Sequence, residues 1–231
     1  MLLQLKRLSR VLTAVGQKLR YFSDSVPVIY FDSEVNVGDA ISPYLIKKIS
    51  GKDVYRIKTN FFSHVLGVGS TLGSASKASY IWGAGSIDGQ TPKRGVARGR
   101  VRALRGECTL GLVRAVLGDR EFNVPLGDPA LLMPLFFFPS VTAPPKKIGV
   151  VPHLVDRNCG ILAELSTVFS DYDLEIIDVG QEPEKFITSL CSCEIVISSS
   201  LHGLILSDAY NIPNIWVEFS NDKIIGGRYK F

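Results

Sequence analysis

The segment Ser198-Ser199-Ser200-Leu201-His202-Gly203 gathers three hydroxyls, an imidazole and a glycine between two apolar runs, Glu194 to Ile197 and Leu204 to Tyr210. The first run has strand length and β-branched content, and the second has helical spacing, so the segment reads as a strand-to-helix turn. Free backbone N–H groups at such a turn point at whatever sits above the sheet. Ser198, Ser199 and Ser200 then form an anion site, with His202 as a proton-transfer group inside it. A plainer role fits the same residues, with the serines capping the helix and the imidazole bonded to a neighbouring loop.

Other chemistry-bearing groups fall at the ends of expected strands: Asn36, Gly38 and Asp39; Gly83 to Gly85; Arg105 with Gly106 and Glu107; Gly127-Asp128-Pro129; His153 with Asp156; and Asn221-Asp222-Lys223. The set is rich in anion donors and has no carboxylate or His pair at metal-ligand spacing. It suits an anionic substrate handled without a tightly held metal. Arg105 can grip a carboxylate or phosphate through two N–H bonds, or pair with Glu107 on the surface. Asp39 and Asp128 read either as ordinary turn and N-cap residues or as parts of a cleft floor that leaves backbone N–H groups open. Gly83-Ala84-Gly85 is too short for a dinucleotide fingerprint, which disfavours NAD. His64 reads as structural, and His153 as facing the cleft.

The elements that must position these groups follow from short apolar runs separated by Gly, Pro, Ser and Asp, the cadence of a buried parallel sheet. The fold class is α/β. Residues 1–22 carry leucines and basic residues at helical spacing, a basic amphipathic helix that suits either an anionic membrane surface or packing on its own domain or a partner subunit. Residues 23–133 read as a first Rossmann-like domain of alternating strands and helices. Residues 134–147, with four prolines, read as a linker, and 148–231 as a second Rossmann-like domain. Two open parallel sheets joined in this way leave a cleft facing the strand C-termini, where α/β proteins bind ligands.

Composition narrows the function. The 231 residues are 46% hydrophobic and 21% charged, with a net charge of +4. Lys93, Arg94, Arg98, Arg100, Arg102 and Arg105 form a central basic cluster without interleaved aromatics. That argues for small anions or phosphates and against nucleic acid. Cys108, Cys159, Cys191 and Cys193 lack paired C-x-x-C spacing, so reduced thiols in a cytoplasmic protein are expected and a zinc site is not. No apolar run reaches the ~20 residues that span a bilayer.

In order along the chain stand N-V-G-D-A-I at Asn36, G-V-G-S at Gly67, I-W-G-A-G-S at Ile81, A-L-R-G-E-C-T at Ala103, L-G-D-P-A-L-L at Leu126, G-V-V-P-H at Gly149, S-S-S-L-H-G at Ser198 and D-K-I-I-G at Asp222. This succession resembles the polysaccharide pyruvyl transferase family, most closely the bacterial branch that places pyruvate ketals on exopolysaccharide repeat units. The resemblance implies a fold similar to GT-B glycosyltransferases, phosphoenolpyruvate as donor substrate with no cofactor, and release of phosphate. It implies a sugar acceptor with two hydroxyls; a lipid-linked saccharide at the inner face of the plasma membrane is the expected acceptor, with the basic N-terminus placing the protein near it. His202 falls on the family's S-R-L-H-G histidine, the expected general acid/base, and Arg105 on its donor-binding arginine. The family often carries Arg where this chain has Ser200, so a donor contact is either missing or supplied by Lys223, Arg228 or the basic cluster. Relatives usually continue beyond the Lys223 motif into helices that brace the first domain, so a shortened C-terminus is expected. A nucleotide-sugar glycosyltransferase of similar fold and a non-catalytic, degenerate family member remain alternatives.

Overall fold

A computed structural model describes residues 25–32, 34–141 and 146–220. The expected helix over 1–22, Lys223 with the whole of its motif, and Arg228 lie outside the described residues. Within them the chain forms two parallel sheets. The first is built from β1 (Ser25–Val28), β2 (Asp53–Arg56), β3 (His64–Leu66), β4 (Ser79–Trp82) and β5 (Val101–Ala103), in the order β2-β1-β3-β4-β5. The second holds β6 (Lys147–Val151), β7 (Asp173–Ile176), β8 (Ile195–Ser198) and β9 (Asn214–Trp216), in the order β7-β6-β8-β9. The helices are α1 (Val37–Ser50), α2 (Glu107–Leu117), α3 (Ile161–Val168), α4 (Pro183–Cys191) and α5 (Leu201–Ala209).

Helix α1 starts where Asn36 Oδ1 accepts the Gly38 N–H at 2.9 Å, and it ends at Gly51, whose left-handed φ of 65° turns its N–H back onto the Lys47 carbonyl. As N-cap, Asp39 would put Pro43 in the first turn. With the true start at Val37, Pro43 lies one turn further in and supplies no N–H to the Asp39 carbonyl. Strands and helices do not alternate throughout the first unit either. Strands β2 to β5 are joined by loops and the 3-10 turns Leu72–Ser74 and Arg98–Arg100, because these Gly- and Ser-rich connections carry no apolar stripe to bury.

Two apolar cores result. One lies within the first unit, where Leu66, Ile81, Val101, Leu110, Val113 and Phe122 meet. The other joins the units. Val37, Ile41 and Leu45, spaced to share one face of α1, pack with Met133 against Ile177, Phe186, Leu190 and Leu206 of the second. Each such side chain contributes about 1.5–3 kcal/mol on burial. Polar contacts cross at the same place: the Val37 N–H donates to the Val179 carbonyl at 2.7 Å, and the Tyr44 hydroxyl to Glu184 at 2.6 Å. The expected linker is partly built into this contact. Pro134 and Leu135 end a 3-10 turn, Pro129–Leu135, and Phe136 and Phe137 pack on the shared core.

Because that core is shared, the described units should unfold together. Trp82 in β4 and Trp216 in β9 report on the two sheets separately, so the single-tryptophan variants Trp82→Phe and Trp216→Phe should give coincident denaturation curves. Phe186→Ala, at a fully buried position, should lower the stability seen by both probes by about 3–5 kcal/mol. Separate midpoints would refute a common core.

Candidate active site

Both sheets reverse strand order, between β1 and β3 in the first and between β6 and β8 in the second. Loops leaving the strand C-termini at such reversals diverge and open a crevice. The two crevices meet in one cavity of about 260 Å³. Its lining comes from the loop after β1 (Asn36, Gly38, Asp39), the loop after β3 (Gly69, Ser70), Arg105 after β5, His153 after β6, and Ser200 to His202 after β8. Phe31 and Ile87 supply apolar rim.

His202 sits further into a helix than the sequence suggested. Helix α5 begins at Leu201 rather than Leu204, so the imidazole projects from its first turn. Ser200 caps this helix without a side-chain hydrogen bond, which leaves the first-turn N–H groups untaken by the cap. The ring presses against Gly38, where an added Cβ would lie 2.1 Å from His202 Nδ1. Alanine is normally better than glycine inside a helix by about 1 kcal/mol, yet here a methyl group would evict the imidazole. On its other side, His202 Nε2 faces Asp128 Oδ2 at 3.6 Å. Both atoms are buried and neither has a hydrogen-bond partner, so a small closure would join them. The other oxygen, Asp128 Oδ1, is fixed by the Ala130 N–H at 2.9 Å.

Arg105 is turned inward. Its Nη1 donates to Ser70 Oγ at 3.0 Å and its Nη2 to the Ser86 carbonyl at 2.7 Å. Gly85 makes room for it, since a Cβ there would lie 2.3 Å from the guanidinium carbon. Burial lowers the guanidinium pKa, and the Asp128 charge partly offsets this. Gly83 has a packing role, accepting Pro129 so closely that a Cβ would lie 2.2 Å from its ring. Neither Gly83 nor Gly85 lines the cavity.

Several expectations change. The backbone N–H groups at Asn36 to Asp39 are not open: those of Val37, Gly38 and Asp39 donate to Val179, Asn36 Oδ1 and the Asn36 carbonyl. Asp128 likewise takes up the Ala130 and Leu131 N–H groups. Of the three serines only Ser200 reaches the cavity. Ser198 Oγ bonds within its own turn, and Ser199 Oγ donates to buried Asp156 at 2.6 Å while accepting the His153 N–H at 2.9 Å. Half of the basic cluster is structural, with Arg94, Arg98 and Arg100 stacked over Phe61, Phe122 and Tyr80. His64 is structural as expected, its ring held by the Phe62 carbonyl at 2.7 Å and Ser79 at 2.8 Å. Asp128 facing His202, and Ser70 holding Arg105, are contacts that no local sequence pattern encodes.

The model of the family described as polysaccharide pyruvyl transferase matches residues 126–221, a span that contains Asp128, His153 and His202. An uncharacterized protein of Acanthamoeba polyphaga mimivirus is 29% identical over 210 residues, which are 87% of this chain and 70% of its own. Arg105 and the Asn36 to Asp39 segment lie upstream of the family match.

Asp39 provides a pH test of this geometry. Burial pushes its carboxyl up to about 6, against a smaller opposing pull from His202. An unfolded chain ionises this group near pH 4, about 3.9 being usual. Between those values the folded state holds more protons, so this group's contribution to stability falls as pH rises toward 6 and stays reduced above it. Asp39→Asn removes a penalty of up to about 3 kcal/mol. The variant should therefore gain denaturation midpoint over the wild type at about pH 8 and show little gain at about pH 4.

Proposed function

We propose that this chain, whose residues 126–221 match the polysaccharide pyruvyl transferase family, moves the pyruvyl group of phosphoenolpyruvate onto two hydroxyls of one sugar in a cell-surface polysaccharide repeat unit. The observation that carries this reading is the cavity itself. It combines an inward-turned guanidinium and a helix N-terminus whose Ser200 cap makes no side-chain hydrogen bond, which suit a carboxylate and a phosphate, with an imidazole backed by a carboxylate. The two sheets meeting at their reversal points agree with the GT-B-like arrangement that the family resemblance implies. On this reading the donor is a substrate and no cofactor is used.

In the reaction, C3 of phosphoenolpyruvate gains a proton and C2 becomes an oxocarbenium-like electrophile. The first sugar hydroxyl adds to C2 and gives up its proton. Phosphate then leaves C2 with the bonding pair, and the second hydroxyl adds and releases its proton, closing the ketal. His202 serves as the proton carrier. With Nε2–H turned toward Asp128, Nδ1 offers a lone pair to a hydroxyl, and the Asp128 charge stabilises the imidazolium that follows. Asp39, with its carboxyl near 6, is a second group able to change protonation near neutral pH. Arg105, Ser70 and the first-turn N–H groups of α5 hold the donor's anionic groups and draw negative charge toward the leaving phosphate. Lipid-linked acceptor use at the inner face of the membrane belongs to the same proposal. Among the described residues no helix is long and apolar enough to cross a membrane.

Calorimetric titration with phosphoenolpyruvate tests the donor site, with inorganic phosphate, UDP and GDP as controls. Selective binding of phosphoenolpyruvate that weakens at least about tenfold in Arg105→Ala is expected. Preference for UDP or GDP would favour the nucleotide-sugar reading instead. In a phosphate-release assay with a working acceptor, His202→Ala should cut turnover by about 10² or more while phosphoenolpyruvate binding persists. Full turnover without the imidazole would refute its role.

A further inference from the structure

Beside the first cavity lies a second, of about 520 Å³, within the size range of small-molecule sites. Glu34 and Val35 line it from the loop after β1, and Leu154, Arg157 and Asn158 from the segment after β6. Asp178 closes it, with the backbone of Gly180 alongside. Each wall continues directly into a residue of the first cavity: Val35 precedes Asn36, and His153 precedes Leu154. A ligand seated in the second cavity therefore borders the first along two loops.

The chemistry of the two cavities is opposite. In the second, the cation is already engaged, as Arg157 Nη2 donates to Asp178 Oδ1 at 2.7 Å and the Gly180 N–H donates to the same oxygen at 2.9 Å. Asp178 Oδ2 is left as an acceptor. Partial burial works against its charge, but the Gly180 N–H and Arg157 outweigh it and hold the carboxyl below its ordinary value, so Asp178 is ionised at neutral pH. With Glu34 also in the lining, the cavity repels phosphates and carboxylates. It offers carboxylate acceptors for O–H groups, the Asn158 amide and the Arg157 edge as donors, and Val35 and Leu154 as an apolar face for ring C–H groups. It presents no aromatic ring on which a nucleobase could stack. Hydroxyls in want of acceptors, on a ring with an apolar face and no charge, describe a pyranose sugar.

We propose that the Glu34/Asp178 cavity is the acceptor-saccharide subsite, holding a neutral pyranose so that its hydroxyls reach the cavity containing His202. The inference rests on the pyruvyl transfer reading, but its binding test is separate. Saturation-transfer NMR would be run with methyl β-galactopyranoside, methyl β-glucopyranoside and methyl α-mannopyranoside, alongside phosphoenolpyruvate titration of the same samples. At least one pyranoside should bind, and Glu34→Gln and Asp178→Asn should each weaken it by about tenfold without altering phosphoenolpyruvate affinity. Arg105→Ala should do the reverse. Circular dichroism of each variant confirms the native fold, and both substitutions preserve side-chain shape. A protein that binds phosphoenolpyruvate but none of the three sugars, or binds a sugar indifferently to both substitutions, overturns the subsite and leaves the donor reading standing. Sugar binding sensitive to Asp178 in a protein that ignores phosphoenolpyruvate keeps the subsite and sinks the donor reading.

Discussion

The approach of helix α1 to helix α5 is the constraint on which the remaining structure depends. It is so close that Gly38 has no room for a side chain beside the His202 ring. The approach is held by packing: Val37, Ile41 and Leu45 lie in the same core as Phe186 and Leu206, with the Val37 N–H locked onto the Val179 carbonyl. The same contact sets the chemistry. Once α1 is docked, Asp39 comes close enough to couple electrostatically to His202, and the turn at Asp128, continuous with the Pro129–Leu135 segment packed on α5, faces the His202 ring. Hydrophobic burial thus supplies the force that gathers the imidazole and these carboxylates.

The electrostatics follow from that confinement. Asp39 lies in the first turn of α1, where the helix dipole favours a negative charge by about 0.3–1 kcal/mol. Desolvation nevertheless wins, because its carboxyl sits near 6. The same desolvation pushes the Arg105 guanidinium down, with Asp128 as its counterweight. A site in which a carboxyl is readily neutral while a guanidinium stays charged has a net appetite for an anion.

The sequence made most elements legible, since short β-branched runs and Gly-terminated helices report local physics. Parallel α/β architecture followed from the same cadence, and the expected strand at Glu194 to Ile197 has its counterpart in β8. Strand order was not legible, because it is decided by packing between distant runs. The start of α5 was misplaced for a local reason: Ser and Gly are turn residues by propensity, yet Ser200 serves as N-cap and Gly203 lies inside the helix. The basic cluster misled in the opposite sense. Its aromatic partners Phe61, Tyr80 and Phe122 lie outside the cluster in sequence and are brought to it only by the fold. Arg105 and His202 were visible as candidates, whereas Asp128 showed only its turn signal and its facing of His202 depends on residues 74 positions away.

Precision on the second sheet's side of the cavity comes from one buried carboxylate. Asp156 is fully buried, accepts from Ser199 on one oxygen and from Ser220 on the other, and Ser199 in turn accepts the His153 N–H. The loops after β6 and β8 are thereby tied into one body with the strand end beyond β9. An isolated buried carboxylate would cost several kcal/mol, so the two hydroxyl bonds from Ser199 and Ser220 are what keep it in place. The loops of the first sheet are tied in turn by Arg105, which reaches from the end of β5 to Ser70 after β3 and to the Ser86 carbonyl after β4, with close glycine contacts at Gly38, Gly83 and Gly85. Each wall is therefore braced by one charged group, Asp156 on the second sheet's side and Arg105 on the first's, and the imidazole of His202 belongs to the second sheet's wall while resting on the first's.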